Sequence, residues 1–245
     1  MAILSVRQLS FEKADGQTNM AADETMLVSA TEGIASFRLY GWSECTLSLG
    51  YFQPQDSRNY HPQLVPLPYV RRPSGGLTLV HQHEITYAIA LPDSHQLVLP
   101  YPTWVSMIHR IIIGVLSEFG VTATMAAEDG PTHDDPLCFK HITKGDLLIG
   151  TDKIVGSAQR KLRGALLQHG GILLSQSPAT PTLPGLFELS GKSVDPEEFC
   201  DLFAQAVKRE MSWRFHAGDW TEEEKLFKQK SIREKFSRKK WNDKR

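Results

Sequence analysis

Apolar residues recur along this chain with two periods, and the alternation between them predicts the order of its elements. Over 103–119 they fall at Trp104, Val105, Ile108, Ile111, Ile112, Val115, Leu116 and Phe119. That is the spacing of a helix with one broad buried face, and Gly120 supplies its stop. His109 and Arg110 fall off the stripe and are expected in solvent. A second helix has a sharper start, with Asp195 as N-cap, Pro196 in first position and Glu198 in third. Its stripe is Phe199, Leu202, Phe203, Ala206 and Val207, with Cys200 beside it as packing or surface. Residues 19–31 predict a further helix, with Asn19 as N-cap, Asp23 and Glu24 near its positive end and Gly33 closing it. Thr221 and Glu224 repeat the capping pattern and open a last, basic helix.

Between these stretches the period drops to two. Residues 2–10, 36–42, 45–52, 81–91, 146–149, 153–159 and 164–174 read as strands, with Gly150-Thr151-Asp152 as a hairpin turn. Cys45 is expected as a small core residue. Pro54 to Pro68 and Pro92 to Pro102 read as loops. The polar stretch 122–145 also reads as a loop, about twenty residues long, a length usually functional or disordered in a compact domain. It contains Cys138.

Composition narrows the class. The 245 residues are 41% hydrophobic and 22% charged with a net charge of −1, enough for one large α/β domain, or one with a small appendage. No global field points to nucleic acid or membrane. The longest apolar run, 111–116, is far short of a membrane span, and the N-terminus lacks a signal-peptide layout. Cys45, Cys138 and Cys200 are odd in number and widely spaced, which suggests free thiols in a reducing cytoplasm. His133, Cys138 and His141 lie close in sequence but without standard metal-ligand spacing, so no metal is expected. From Lys225 to Arg245 ten Lys/Arg face Glu234 and Asp243, giving 10 − 2 = +8. Such a run is either a solvated helix face or a dock for an acidic partner.

Three polar islands carry candidate chemistry. The first is Arg71-Arg72-Pro73-Ser74-Gly75-Gly76 with His81. Arg pairs with carboxylate or phosphate, paired glycines let backbone N–H groups approach a ligand, and a strand beginning at Leu77 would put both at a sheet edge. A tight turn with a basic flank explains the same residues. The second is Cys138. The third is Lys153 with Gly156-Ser157-Ala158-Gln159 behind it. A cysteine with a lysine can run acyl transfer, the thiolate attacking while a cation favours it, or the lysine can stay neutral and take a proton. The N–H groups of Gly75-Gly76 could hold an oxyanion, where one donor is worth about 3 kcal/mol of barrier. Sequence alone does not bring the islands together.

The order of these motifs is familiar. Arg71 to Gly76 followed by His81 and Glu84-Ile85-Thr86-Tyr87, then Lys153 to Gln159 with Leu167-Gln168-His169-Gly170, resembles the lipoate- and biotin-type protein ligase/acyltransferase superfamily. Asn19-Met20-Ala21 with Asp23-Glu24, Trp42, Ser48-Leu49-Gly50 with Gln53, and Lys240-Trp241-Asn242 support the match, which spans roughly residues 15–245. The resemblance implies an α/β (α+β) fold, a mixed β-sheet flanked by helices, with a catalytic domain over 1–219 and a basic C-terminal helical extension over 220–245 packed on it. Cys138-Phe139 ahead of Lys153 is similar to the cysteine–lysine octanoyltransferase branch.

That branch takes an octanoyl group from octanoyl-acyl carrier protein, holds it as a thioester, and passes it to a lysine of a lipoyl carrier protein. The glycine-cleavage H protein and 2-oxoacid dehydrogenase lipoyl domains are such carriers. By resemblance Cys138 is the nucleophile and Lys153 orients the acyl carbonyl and handles protons. Arg72, Ser74, Gly75, Gly76, His81, Gly156, Ser157, Ala158 and His169 bind the acyl substrate, and no cofactor is needed. Two other readings stay open. In a short ATP-dependent lipoate ligase Lys153 would contact an acyl-adenylate, with ATP and Mg. A non-catalytic partner would bind lipoyl domains without turnover. Biotin ligation lacks its Gly-Arg-Gly-Arg-type loop. Leu77-Thr78 where Gly or Arg then Ala is common, Gln82 for Asp and Gly171 for Ser are departures, and Leu77 would crowd an adenylate or reshape the pocket.

Overall fold

A computed structural model of the protein describes residues 4–92 and 103–245; beyond Pro92, the loop expected up to Pro102 lies outside the described residues. The chain opens with β1 (Ser5–Gln8), β2 (Glu12–Ala14), α1 (Gly16–Thr31), β3 (Ala35–Trp42), β4 (Thr46–Leu49), β5 (Tyr69–Arg71), β6 (Leu79–His81) and β7 (Glu84–Leu91). Next come α2 (Thr103–Glu118), β8 (Thr124–Met125), β9 (Leu147–Ile149), β10 (Asp152–Leu162) and β11 (Ala165–Leu173). The last elements are α3 (Leu186–Ser190), α4 (Pro196–Met211), β12 (Arg214–Ala217), α5 (Glu222–Ser231) and α6 (Lys239–Asn242). Nine strands form one mixed sheet, eight of them in the order β12-β1-β3-β7-β11-β10-β9-β8 with β2 also on β3; β5-β4-β6 form a second, smaller sheet. Among the described residues no helix is long and apolar enough to cross a membrane.

Strand β7 shows how the layers are made, since every one of its residues is buried. Its large side chains Ile85, Tyr87, Ile89 and Leu91 join the core under α2 and α4. Its small ones, Ala88 and Ala90, face α1. Alternation therefore separates bulk from closeness. Helix α1 lies against the small-residue face, and eleven of its sixteen residues are buried.

Several expectations are corrected. Helix α1 is capped by Asp15, whose carboxylate accepts the Thr18 N–H at 2.8 Å, and not by Asn19. The earlier start moves Asn19 and Asp23 into the helix body, where both are fully buried. Of the first strand expected over 2–10, residues 2 and 3 lie outside the described residues and the rest narrows to Ser5–Gln8. The strand expected over 45–52 narrows to Thr46–Leu49, and the next residue must be a glycine, because a Cβ on Gly50 would stand 1.8 Å from the carbonyl oxygen of Gly76. Cys45 is half-buried beside the smaller sheet's cluster instead of lying in the core. The strand expected from Leu77 begins at Leu79. The single C-terminal helix is three pieces: α5, one π-helical turn over Ile232–Phe236, and α6. That turn sets Phe236 fully buried against α1.

Candidate active site

The two arginines of the first island serve the backbone. Arg71 is fully buried and donates to the carbonyls of Gly50 at 2.8 Å, Gln53 at 2.6 Å and Asn242 at 3.0 Å. Arg72 donates to Ser48 O, Ser48 Oγ, Gly75 O and Leu77 O. Of the two readings of this island, these contacts are those of a turn held by its basic residues. A guanidinium satisfies several carbonyls that a tight Gly-rich turn cannot pair within itself. Burial lowers the Arg72 value to about 10, so it remains a cation at neutral pH.

The turn that Arg72 shapes also carries the cysteine. Thr78 N–H donates to Pro136 O at 2.9 Å, and Cys138 N–H donates to Thr78 O at 2.8 Å. The loop around Cys138 is thereby stitched to the end of the Ser-Gly-Gly segment, and Cys138–Lys140 close into one 3-10 turn. Asp135 braces the loop from outside, accepting the Leu137 N–H and contacting His61 Nε2 at 3.0 Å.

Lys153 arrives from the opposite side. In a regular strand residues three apart point to opposite faces. The register of β10 on β9 shifts between Lys153 and Val155, and the extra residue of this bulge puts Lys153 back on the face of Gly156. A Cβ on Gly156 would come within 2.6 Å of Lys153 Cε, so the lysine stem lies where a side chain would be. Its Nζ is 2.6 Å from Asp146 Oδ2, 3.0 Å from His141 O and 3.8 Å from Cys138 Sγ. Three acceptors match the three N–H groups of an ammonium better than the two of an amine. Burial raises the Asp146 carboxyl above its ordinary value, against the lowering pull of Lys153.

Cys138 opens onto an apolar pocket, and of the expected residues Arg72, Gly76, His81, Gly156, Ser157, Ala158 and His169 also line it. Its floor is the β10–β11 ladder, where Gly156 pairs Gly171, Ser157 pairs Gly170 and Ala158 pairs His169. Gly170 cannot be larger, because its Cβ would meet Ser157 Oγ at 2.4 Å. Ser74 and Lys153 stand behind the walls: Ser74 Oγ is 2.6 Å from His169 Nε2. Gly75 is not among these lining residues, and its carbonyl accepts from Arg72. His81 stacks on Trp42 at 3.8 Å between ring centroids, with Nδ1 on Glu84 Oε1 at 2.7 Å and Nε2 on Ser48 Oγ at 2.6 Å.

Some residues of the site escaped the sequence reading. Asp23, taken for a helix-end charge, is fully buried, accepts from Tyr40 OH at 2.9 Å and meets His169 Nδ1 at 2.8 Å. Asp146 had no signal beyond being an acid at the start of the strand expected over 146–149. His109, expected in solvent, is fully buried between Gly145 O and Ser157 Oγ at 2.6 Å each. The loop 143–145 covers the side of α2 that the apolar stripe leaves open.

The model of the lipoyl protein ligase A/B catalytic domain matches residues 15–183. Octanoyltransferase LipM of Macrococcus caseolyticus (strain JCSC5402) is 31% identical over 231 residues, covering 84% of this chain and 75% of that protein. Among solved structures, lipoate-protein ligase A bound with ATP has a TM-score of 0.79 at 19% identity, across 98% of this chain and 99% of the other. A bi-partite lipoate protein ligase from Thermoplasma acidophilum, described with its E2 lipoyl domain, has a TM-score of 0.75 at 17% identity, across 98% and 96%. These two share the fold. The chain belongs to the family of the lipoyl protein ligase A/B catalytic domain, on the branch of the octanoyltransferase LipM.

Proposed function

We propose that this protein is an octanoyltransferase of lipoate biosynthesis, working through a thioester on Cys138. The observation that carries the reading is the approach of Lys153 Nζ to within 3.8 Å of Cys138 Sγ at the lip of an apolar pocket. There the ammonium, anchored by Asp146, stabilises the sulfur anion that is left when the Cys138 thiol gives its proton to solvent. That anion attacks the thioester carbonyl of an octanoyl-carrier protein, the acyl–sulfur bond of the donor breaks, and the carrier leaves as a thiolate that takes a proton from solvent. The octanoyl chain then lies between the small residues of the β10–β11 floor, Trp42 and His81, gaining about 0.8 kcal/mol for each buried methylene.

In the second half, the neutral amine of a lipoyl-domain lysine attacks the enzyme thioester. The amide forms, the sulfur departs as the anion beside Lys153, and the proton lost by the nitrogen goes to solvent. We assign Lys153 and the turn at Gly75-Gly76 to the developing oxyanion. The donor's thioester supplies the energy, so the reaction as drawn uses no ATP and no metal ion. A lipoyl carrier domain as acceptor is supported by the E2 lipoyl domain described with the archaeal structural relative. The glycine-cleavage H protein and the 2-oxoacid dehydrogenase domains are the candidate acceptors, and we place the reaction in the cytoplasm.

Intact-mass measurement after incubation with octanoyl-acyl carrier protein tests the reading. The expected result is a covalent octanoyl adduct that hydroxylamine removes and that Cys138→Ser does not form. Retention of lipoate attachment by Cys138→Ser in the presence of ATP would instead make this chain a ligase, and binding of lipoyl domains without any adduct would make it a partner.

A further inference from the structure

A single file of hydrogen bonds crosses the sheet from the outer edge of the pocket floor to the charge pair. Gln159 Nε2 donates to Gln168 Oε1 at 2.8 Å, and Gln168 Nε2 donates to Tyr87 OH at 2.8 Å. Tyr87 OH lies 2.6 Å from Ser157 Oγ, Ser157 Oγ 2.6 Å from His109 Nε2, and His109 Nδ1 2.6 Å from Gly145 O. The direction of the file follows from its last link. Gly145 O can only accept, so His109 Nδ1 carries a proton. Burial lowers the imidazole value to about 4, so Nε2 is bare at neutral pH and must accept from Ser157. The Ser157 hydrogen is then spent, and Tyr87 donates to Ser157. Every buried polar group along the file is satisfied in one orientation.

The receiving carbonyl belongs to the residue before Asp146. Gly145 has φ +97°, and a Cβ on it would sit 3.4 Å from Ser106 Oγ of α2. The loop therefore lies against the helix that carries His109, at ordinary contact distance. Asp146 Oδ2 accepts the Thr143 N–H at 2.7 Å and Lys153 Nζ at 2.6 Å. Holding Gly145 O fixes the carboxylate that fixes the ammonium beside Cys138. We infer that His109 is a positioning residue for acyl transfer: by clamping Gly145 to α2 it holds Asp146 and Lys153 in register with Cys138, and through Ser157 it ties that register to the floor of the acyl pocket. This rests on the transferase reading for its purpose, though not for its geometry. The charged and titratable groups facing this array are Lys153, Asp146 and Tyr87.

His109→Leu removes both links. His109→Asn keeps an N–H near the Nδ1 position, able to reach Gly145 O, and loses the Ser157 link. The readout is the rate of Cys138 alkylation by iodoacetamide across the neutral pH range, followed on its peptide by mass spectrometry with Cys45 as internal reference, alongside melting temperature and kcat and KM for octanoyl transfer. The expected result for His109→Leu is alkylation of Cys138 displaced to higher pH and a kcat lower by about tenfold or more with KM little changed, as for a misplaced reacting group. His109→Asn should fall between it and the wild type. A melting temperature lowered in both variants with the wild-type alkylation profile would make His109 merely structural and overturn the proposal. Equal losses in the two variants would also overturn it, because the Gly145 link would then not matter. Alkylation needs no acyl donor, so failure of octanoyl transfer in the wild type would sink the proposed function and leave this comparison decisive for His109.

Discussion

Lys153 reaches Cys138 through a departure from strand alternation, and its ammonium is kept in a buried place by Asp146 at 2.6 Å. A buried pair of this kind is costly to break by halves and cheap to replace whole. Asp146→Asn leaves the ammonium without its counter-charge and should destabilise the protein by about 3–5 kcal/mol. The double variant Asp146→Leu with Lys153→Met should recover most of that loss while acyl transfer stays abolished. Chemical denaturation of the wild type and the two variants, set beside adduct formation, checks both halves; a double variant as unstable as the single one would show that the pair is not the source of the loss. At this scale the chain disclosed the reagents and withheld their partners. Cys138 stood out as a cysteine in a long polar loop and Lys153 as a cation opening a strand. Asp146, Asp23 and His109 did not, because their partners are 7, 146 and 48 positions away and no local pattern encodes such a meeting.

The elements were legible where their own sequence decides them. Helices α2 and α4 have an apolar stripe wide enough to fix both type and face, and the capping residues Asp195 and Thr221 stand where they were read. The misses lie where a neighbour decides. Strand β12 is a four-residue parallel partner of β1 some two hundred residues earlier, and β2 is three residues held against β3. The split of the basic C-terminal helix follows from Phe236 and Asn242 finding α1 and Arg71. Small residues carry a similar lesson on β7, where Ala88 and Ala90 are chosen by the closeness of α1. Ala88→Leu, fully buried against that helix, should overpack the layer and cost about 1–3 kcal/mol, seen as a melting temperature lowered by several degrees. Ala88→Gly should be milder in packing terms. An unchanged melting temperature for Ala88→Leu would mean that α1 can lift away at little cost, contrary to its close seat over the pocket floor.

At the scale of the molecule, the two ends of the chain are joined through one carboxylate. Glu224 on α5 takes both guanidinium nitrogens of Arg7 on β1 at 2.7 Å each and the hydroxyl of Ser29 on α1 at 2.5 Å. Burial pushes the Glu224 carboxyl up, but the bonds from Arg7, Ser29 and the Thr221 N–H outweigh it and hold the value below the ordinary one. The sign of the consequence follows. The unfolded chain takes up the proton at a higher pH than the folded one, so the stability contributed by Glu224 is complete above the unfolded value of about 4.3 and fades as pH falls through the lower folded value. Glu224→Gln removes this dependence and also leaves Arg7 without its counter-charge. The variant should melt lower than the wild type at neutral pH, and the gap should narrow on acidification below about pH 4. Melting curves taken down that range decide the matter. Two parallel curves would mean that the carboxylate does not titrate differently in the folded protein, and that what Glu224 adds to the clasp between β1, α1 and α5 does not depend on its charge.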